Sequence, residues 1–500
     1  MDKKGFTLVE LLAVIAILAI LVIIAMPNVL KMFNESKKNT FLTEAKAIYK
    51  QAETEIIQRT MAGTLTDTIS SGDHTKMKMD GKNLDYIITI KNSKITAIKV
   101  NDDQFCITGD GSFLSATIDQ VKEEDCYLHP NSAKWYANCE EDSRDIRCTM
   151  LRDNEEKDGS FIDYNFASNG VRVNSEWTDY IKDDKQKTDG LYYIEDPNMT
   201  EDGDRVYFYR GNVTNNHIIW ADFCWRIVRT VEDGSVRLVY AGTYKNGSCP
   251  ENGKLEMIGN TKYKWATGKN DNAYAGYMTG DLSATNYADA HKNIEDSYIK
   301  EKVDSWYENN LANKGSEVLG LLADSAYCND RSVLADKELE NKGYAKERTG
   351  YAAMYRLASF TSLNFDWGGS EIKPTFKCAQ TNDKFTVNKA YGNGALKYKI
   401  ALLTADELAF AGGSALSDGN YDMYLRGDKD NPNDAIHYGI VSMTPGLFNG
   451  QVGVMRIGDD GVIGMNSATY TWRVNPAVSL LASTKVIAGN GTATNPYRVK

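Results

Sequence analysis

An uninterrupted run of sixteen apolar residues, Leu11–Met26, constrains this chain more than any other feature. Counting from Phe6, the only charge before Lys31 is that of Glu10. A helix that rises about 1.5 Å per residue needs about 20 residues to cross the hydrocarbon core of a bilayer. We therefore expect a membrane-spanning helix over about residues 6–28. Because two lysines precede the run, the short N-terminus should stay cytoplasmic and the rest should lie outside.

Two simpler interpretations of this segment compete. A secretory signal peptide would carry a cleavage site of small residues after the apolar run. Here Met26-Pro27-Asn28-Val29 follows instead, and the helical pattern continues. A plain signal anchor leaves Glu10 unexplained, because a carboxylate inside a bilayer costs several kcal/mol and usually marks a function.

The opening sequence Lys3-Lys4-Gly5-Phe6-Thr7-Leu8-Val9-Glu10 resembles the N-terminus of type IV prepilins. The resemblance implies that a prepilin peptidase cleaves between Gly5 and Phe6 and that the new amino group of Phe6 is methylated. It also implies that Glu10 neutralises the N-terminal amine of a neighbouring subunit, since two charges in a low-dielectric filament are tolerable only as a pair. Pro27 falls where pilins kink their helix, and proline removes one helical hydrogen bond.

The pattern beyond the apolar run predicts an amphipathic continuation of this helix, ending near residues 61–63. Two short β-type runs, 85–90 and 94–100, predict a hairpin. We expect an α+β fold, in which a long N-terminal helix packs on a small antiparallel sheet and a large β-rich α+β domain follows. The apolar stripe on the helix consists of Phe41, Ala45, Ile48, Ala52 and Ile56.

Composition shifts and the resemblance together suggest five segments in the 500-residue chain. They are a leader (1–5), a pilin-type helix (6–63), a small pilin-like head (64–130), a charged linker with a disulfide loop (131–160) and a large surface- or adhesin-like domain (161–500).

The chain has eight cysteines and no Cys-x-x-Cys pair, so a zinc ribbon is not indicated. All eight follow the apolar segment, which favours export to an oxidising compartment and four disulfides. Free buried thiols are the alternative. Since short loops close at a lower entropic cost, we expect neighbours along the chain to pair. The expected pairs are Cys106–Cys126, Cys139–Cys148, Cys224–Cys249 and Cys328–Cys378.

The region after residue 190 contains strand-like runs at 190–194, 205–213, 218–229 and 236–240, and a mostly helical stretch at 295–358. A capping box, Thr404-Ala405-Asp406-Glu407, predicts a helix start.

Several motifs in residues 190–500 resemble an uncharacterised surface-protein domain of Gram-positive gut-type bacteria. That domain is in turn distantly similar to the C-type lectin and formylglycine-generating-enzyme folds. The family usually has Arg-Pro before its final apolar strand. This chain has the looser spacing Arg473-Val474-Asn475-Pro476 there. The motifs are Trp225-Arg226-Ile227-Val228-Arg229, Tyr327-Cys328-Asn329-Asp330-Arg331, the run 403–413 and the ending 489–497.

The chain offers no catalytic constellation, so we expect no enzymatic activity and no cofactor. The five histidines form no HExxH pattern, and the net charge of −11 makes nucleic acid an unlikely partner. One acidic loop has oxygen ligands at alternating positions, which suits calcium, although a solvated polar loop is the simpler interpretation. Its candidate ligands are Asp428, Asp430, Asn433 and Asp434, and the aromatics Trp265, Tyr274, Tyr277 and Trp306 are candidates for a glycan-binding face.

Three functions remain open on the sequence. The first is a minor, tip-type pilin-like protein, which starts in the cell membrane and displays a large ligand- or surface-binding domain on the pilus or cell surface. Its partners would be prepilin peptidase, other pilin subunits, the membrane before assembly, and a glycan or host surface. The second is a pseudopilin of a secretion or DNA-uptake system. The third is an exported enzyme on a pilin-like anchor.

Overall fold

The computed structural model divides the chain into a first unit, residues 1–128, and a second unit, residues 129–500. Residues 8–31 and a few others are described by backbone alone. The described residues are 8–66, 68–70, 77, 84–101, 105–122, 136, 139, 143–158, 189–196, 198–201, 205–252, 254–258, 263–265, 270–283, 287–332, 353, 357, 374–389, 391–413, 423–426, 439–446, 451–458 and 461–500.

One continuous helix, α1 (Leu8–Ala62), dominates the first unit. It ends because Gly63 takes a left-handed conformation, with φ of 67°. There the amide of Thr64 donates to the carbonyl of Arg59 at 2.9 Å, a typical helix C-cap. All five residues of the apolar stripe are buried, at most 4% exposed, so the predicted face is the one that packs on the sheet.

The head of the first unit is an antiparallel meander whose strands follow chain order. The hairpin lies where the sequence places it, and its turn residues Asn92 and Ser93 both have positive φ. This two-residue turn matches the right-handed twist of the strands that it joins. Two 3-10 turns follow, Phe113–Ser115 and Ile118–Gln120. The strands are β1 (Thr68–Ser70), β2 (Asp85–Lys91), β3 (Lys94–Asn101) and β4 (Cys106–Gly109).

Residues 143–158 belong to the second unit and correct the expectation of a charged linker at 131–160. The segment forms α2 (Ile146–Arg152) and β5 (Glu156–Asp158). Ile146 and Met150 are at most 1% exposed and enter the core of the second unit. Charged residues flank the buried stretch Ile146–Met150 on both sides, so the average composition concealed a short helix that enters the core.

The second unit is built on a nine-stranded mixed sheet. Along its main path the order is β21-β22-β8-β9-β7-β6-β5, and β10 joins β9 to β20. All pairs are antiparallel except β5–β6 and β22–β8. The further strands of this sheet are β6 (Gly190–Ile194), β7 (Val206–Arg210), β8 (His217–Trp220), β9 (Phe223–Thr230), β10 (Val236–Thr243), β20 (Ala477–Leu480), β21 (Val486–Ala488) and β22 (Tyr497–Val499).

The run 218–229, which the sequence presents as one strand, is a hairpin of β8 and β9. Its two turn residues, Ala221 and Asp222, have φ of 54° and 70°. Asparagine and glycine are the usual residues at such positions, so the apolar alternation passes through the turn without a composition signal. The prediction of a single strand was wrong for that reason.

Short elements surround the large sheet. Between residues 295 and 332 the chain is helical only in part, which revises the expectation of a mostly helical stretch at 295–358. The helices are α3 (Tyr287–Ala290), α4 (Tyr298–Asn310), α5 (Ser316–Leu319) and α6 (Ala405–Phe410), and the strands are β11 (Tyr263–Lys264), β12 (Met278–Thr279), β13 (Glu295–Asp296), β14 (Tyr327–Cys328), β15 (Lys384–Phe385), β16 (Val441–Pro445), β17 (Gly453–Ile457), β18 (Ile463–Ser467) and β19 (Thr471–Trp472). The protein is thus a mixed α+β protein whose second unit is rich in β-structure.

Candidate functional site

The N-terminal candidate residues lie at the start of α1. Glu10 lies within α1, and its role in assembly stays a prediction. Pro27 lies within the continuous helix, and its kink stays a prediction. Gly5 and Phe6 lie outside the described residues.

The apolar run predicted to cross the membrane, 6–28, falls where the structure describes no side chains. Among the helical residues whose side chains the structure describes, no stretch is both long and apolar enough to span a bilayer.

The motif Trp225–Arg229 lies on β9, in the middle of the large sheet, and Arg229 is one member of a buried ionic cluster. The Nε of Arg229 donates to Oε1 of Glu407 at 2.8 Å, and its Nη1 donates to Glu232 at 3.1 Å. Arg237 on β10 places its Nε 3.6 Å from the same Glu407 oxygen. All four side chains are at most 6% exposed. We call Arg229, Glu232, Arg237 and Glu407 the ionic cluster.

Glu407 also caps α6, as the sequence predicts. Its Oε2 accepts from the amide of Thr404 at 3.0 Å, while the Thr404 hydroxyl accepts from the amide of Glu407 at 3.0 Å. Burial alone would raise the pKa of this carboxyl, but Arg229 and Arg237 outweigh it and lower the pKa of Glu407 below its ordinary value. One carboxylate thus fixes the start of a helix and contacts two buried guanidinium groups, and Glu232 supplies the second negative charge of the cluster.

Arg226 on the same strand is buried without a carboxylate partner in the described part of the chain. Its three nitrogens donate to Asn216 Oδ1 at 2.7 Å, Asn252 Oδ1 at 2.6 Å and the carbonyl of Val213 at 2.7 Å. The ring of Tyr424 stacks 5.1 Å from its guanidinium. Burial lowers the pKa of Arg226 to about 9. Neutral oxygens and an aromatic face therefore satisfy this residue.

A second buried ion pair explains the motif Tyr327–Arg331. Both Arg331 and Asp383 are inaccessible to solvent, and Arg331 Nε donates to Asp383 Oδ1 at 2.7 Å. The backbone amide of Arg331 donates to the other carboxylate oxygen at 2.6 Å. These motif residues hold distant segments together inside the domain. They are buried and do not form an exposed site.

Among the described residues three disulfides join the neighbours that chain order predicts. No described cysteine is free, and Cys106 is also disulfide-bonded, while its expected partner Cys126 lies outside the described residues. The described disulfides are Cys139–Cys148, Cys224–Cys249 and Cys328–Cys378.

The aromatic residues suggested for a glycan-binding face do not form one together. Trp265, Tyr274 and Tyr277 are at most 5% exposed and belong to buried clusters. Trp306 is half-buried and packs against Phe223, with ring centroids 5.4 Å apart. The first three residues are core, which leaves Trp306 as the member that reaches the surface.

The described residues contain no metal site formed by the predicted calcium ligands or by the histidines. Asp428, Asp430, Asn433 and Asp434 lie outside the described residues. Within the residues that are described, no group of three or more His, Cys, Asp or Glu side chains is arranged to hold a metal. His217 and His291 are buried, and burial with a nearby arginine lowers their pKa values to about 3 and about 2. Both imidazoles are therefore neutral near neutral pH.

Two functional features lacked a recognised signal in the sequence. The ionic cluster was missed, although two arginines within the apolar strand β9 require buried partners. The exposed pair Met32 and Phe33 on α1, 71% and 62% exposed, was also missed because it follows Lys31, outside both the apolar run and the apolar stripe.

Comparison with known proteins identifies the N-terminus alone. Residues 1–26 match a family model described as the prokaryotic N-terminal methylation motif. Neither the curated proteins nor the solved structures include a match to the chain. The motif implies processing by a prepilin peptidase and assembly with other pilin-type subunits. The N-terminus is therefore of the kind found in type IV pilin-like and pseudopilin proteins.

Proposed function

We propose that this chain is a minor, tip-type pilin-like subunit that carries a large ligand- or surface-binding domain out of the cell. In this proposal Gly5–Phe6 is the cleavage site, Phe6 is methylated and Glu10 pairs with the amine of a neighbouring subunit. The chain is anchored in the cell membrane first and then lies on the pilus or cell surface. The second unit is a binding domain without enzymatic activity or an obligatory cofactor.

The size of the second unit carries the proposal. It holds residues 129–500, against 1–128 in the first unit. A compact domain of this length has a radius of gyration of about 21 Å, whereas packed helices are about 8–10 Å apart. If every subunit of a helix-packed filament carried such a domain, the domains would collide. A position at the tip, with few copies, removes this conflict.

Buried charges and disulfides support a role outside the cell. Three described disulfides stabilise the second unit, as expected for an exported domain. Because the motif residues of this unit are buried, we assign ligand binding to its surface loops. A glycan or host surface is the class of ligand that we propose, and calcium at the 428–434 loop is an optional addition to it.

Two measurements test the proposal. Mass spectrometry of the mature protein should find a methylated Phe6 at the N-terminus. Immunogold labelling against the second unit should then mark filament ends, at a few copies per filament. Labelling along the whole shaft would contradict the tip assignment, and an intact Met1 would contradict the processing.

Replacement of Glu10 tests the assembly role. Glu10→Ala should leave membrane insertion intact and abolish incorporation into filaments, because the neighbouring amine loses its counter-charge. The matched control is Glu35→Ala, which removes an exposed carboxylate from the same helix and should assemble normally. Normal assembly of Glu10→Ala would reduce the protein to a membrane-anchored surface protein.

The pseudopilin alternative predicts a different deletion phenotype. Loss of DNA uptake or secretion, with surface binding unchanged, would favour it over the tip subunit. Loss of surface binding alone would favour the proposal. An activity abolished by one substitution in a correctly folded second unit would support the exported enzyme.

A further inference from the structure

The segment of α1 just above the apolar run is uncovered in the first unit. From Met32 to Thr40 no residue is buried, and burial begins at Phe41. Within this stretch Met32 and Phe33 are 71% and 62% exposed, large fractions for apolar side chains. These two adjacent side chains form a small exposed apolar patch directly after the predicted membrane segment, where a membrane surface can cover it.

The charges around this apolar pair are mostly positive. Lys31, Lys37 and Lys38 lie within one short stretch, and Glu35 is its single acidic residue. The ammonium of Lys37 lies 5.1 Å from the centre of the Phe33 ring, so the aromatic and a cation share one face of the helix. Lysines near the end of a spanning helix extend to the interface between membrane and water, and phenylalanine is among the apolar residues that enter the boundary between headgroups and acyl chains.

The position along the helix fits that boundary. Lys31 is the first charge after Glu10, so it marks where the hydrocarbon region ends. Phe33 lies two residues further, about 3 Å along the helix axis. The headgroup region on each side of a bilayer is about 5–7 Å thick. Phe33 and Met32 therefore fall within the headgroup region of an anchored subunit.

We propose that Met32, Phe33, Lys37 and Lys38 form an interfacial collar that seats the unassembled subunit on anionic lipid headgroups. The inference rests on the proposed membrane anchoring. It adds the chemistry of the partner, which is a phosphate-bearing anionic lipid. The apolar pair enters the boundary between headgroups and acyl chains, and the lysines contact the phosphates. The collar thereby fixes the height of the head above the membrane before assembly.

The test uses the full chain in phosphatidylcholine vesicles with or without about a third phosphatidylglycerol, at a low protein-to-lipid ratio. Phe33→Trp supplies a fluorescent reporter in the collar. Met61→Trp is the matched control, because Met61 is 84% exposed on the same helix and lies about 42 Å further along it. Lipids brominated near the headgroups quench a tryptophan that sits at that depth, and each spectrum is read as a difference from the parent chain.

In anionic vesicles the added fluorescence of Phe33→Trp should shift to shorter wavelength and be quenched about twofold or more relative to that of Met61→Trp, because only the first reporter lies at the interface. High salt, removal of phosphatidylglycerol, or the double change Lys37→Gln and Lys38→Gln should each reduce this difference. Equal quenching at the two positions, or quenching insensitive to lipid charge, would overturn the collar. Quenching that changes with the protein-to-lipid ratio would show that a second copy covers the pair, and would also overturn it.

Flotation separates this inference from the proposed function. A chain that floats with the vesicles but shows no selective quenching retains its anchor and lacks the collar. A chain that does not float contradicts the membrane anchoring itself, and the collar with it.

Discussion

The cores of the two units are built from different kinds of contact. The first unit packs one helix face on a sheet whose strands follow chain order, and its described core is apolar apart from Lys99. The second unit joins strands that are far apart in sequence, such as β10 with β20, and it buries charged side chains between them.

This difference separates local information from long-range information. In the first unit a periodic pattern on one helix suffices to place the core, because the sheet beneath it is made by adjacent hairpins. In the second unit a single carboxylate, Glu407, connects α6 with β9 and β10. If this difference is real, removing a buried charge should destabilise the second unit, and removing buried apolar volume should destabilise the first.

The largest effect is expected from Glu407→Gln. Glutamine keeps an oxygen for the Thr404 amide but removes one of the two negative charges that balance Arg229 and Arg237. An uncompensated buried charge costs about 3–5 kcal/mol, so the free energy of unfolding of the second unit should fall by that amount. All eight tryptophans of the chain lie beyond residue 128, so tryptophan fluorescence during denaturant unfolding reports on this unit.

Glu308→Gln is the control for this change. Glu308 accepts from Lys397 at 2.6 Å and Tyr398 at 2.8 Å, but it does so at the surface. Its replacement should leave the unfolding midpoint unchanged within error, since solvent screens exposed pairs. A similar loss in both variants would mean that the ionic cluster is no more important than a surface pair.

A smaller effect, about 3 kcal/mol, is expected in the first unit from Ile48→Ala. Ile48 is 2% exposed in the interface between α1 and the sheet, so its truncation leaves a cavity. Hydrogen exchange should become faster in peptides from β2 and β3, while the tryptophan signal of the second unit stays the same. Ile57→Ala, at a 57% exposed position of the same helix, should change exchange little. Faster exchange in both variants would contradict the packing described here.

The sequence predicts the first unit well for the same physical reason. The helix, its apolar face and the hairpin at 85–100 follow from patterns within a few residues of one another. The turn at Ala221–Asp222 and the core role of 143–158 were not predictable in this way. The first lacks the usual turn residues, and the second becomes visible only once Ile146 and Met150 meet strands from distant parts of the chain.

The candidate functional residues also differ in whether their role follows from neighbouring positions or from distant ones. Residues 1–26 carry a motif that spans adjacent positions, so the processing of the chain could be inferred without a structure. The motifs of the second unit were recognisable, but their meaning was not. Arg229 and Arg331 have partners 178 and 52 residues away, and only the fold shows that both are buried.

The smallest effect concerns the pH dependence of the second unit and a buried carboxyl outside the ionic cluster. Asp324 accepts from the backbone amides of Val387 at 2.8 Å and Asn388 at 2.6 Å. Burial raises its pKa to about 6, although Lys399 and the two amides oppose the shift. Between pH 4 and 6 the folded state therefore holds a proton that the unfolded state has lost. The titration of Asp324 should therefore lower the free energy of unfolding as pH rises through this range, by about 2 kcal/mol in all.

Asp324→Asn isolates this contribution, because asparagine does not titrate. Its absolute stability will also change, since its amide group can accept from only one of the two backbone amides. The informative quantity is the slope of the unfolding free energy between pH 4 and 6, measured by tryptophan fluorescence. The slope should become more positive in Asp324→Asn than in the parent, and it should stay the same in Asp222→Asn, where the carboxylate is 86% exposed. Identical slopes in all three proteins would mean that Asp324 titrates in the folded state as it does in water. Burial in the second unit would then leave the pKa of this carboxyl unchanged, and the contrast with the apolar core of the first unit would not extend to Asp324.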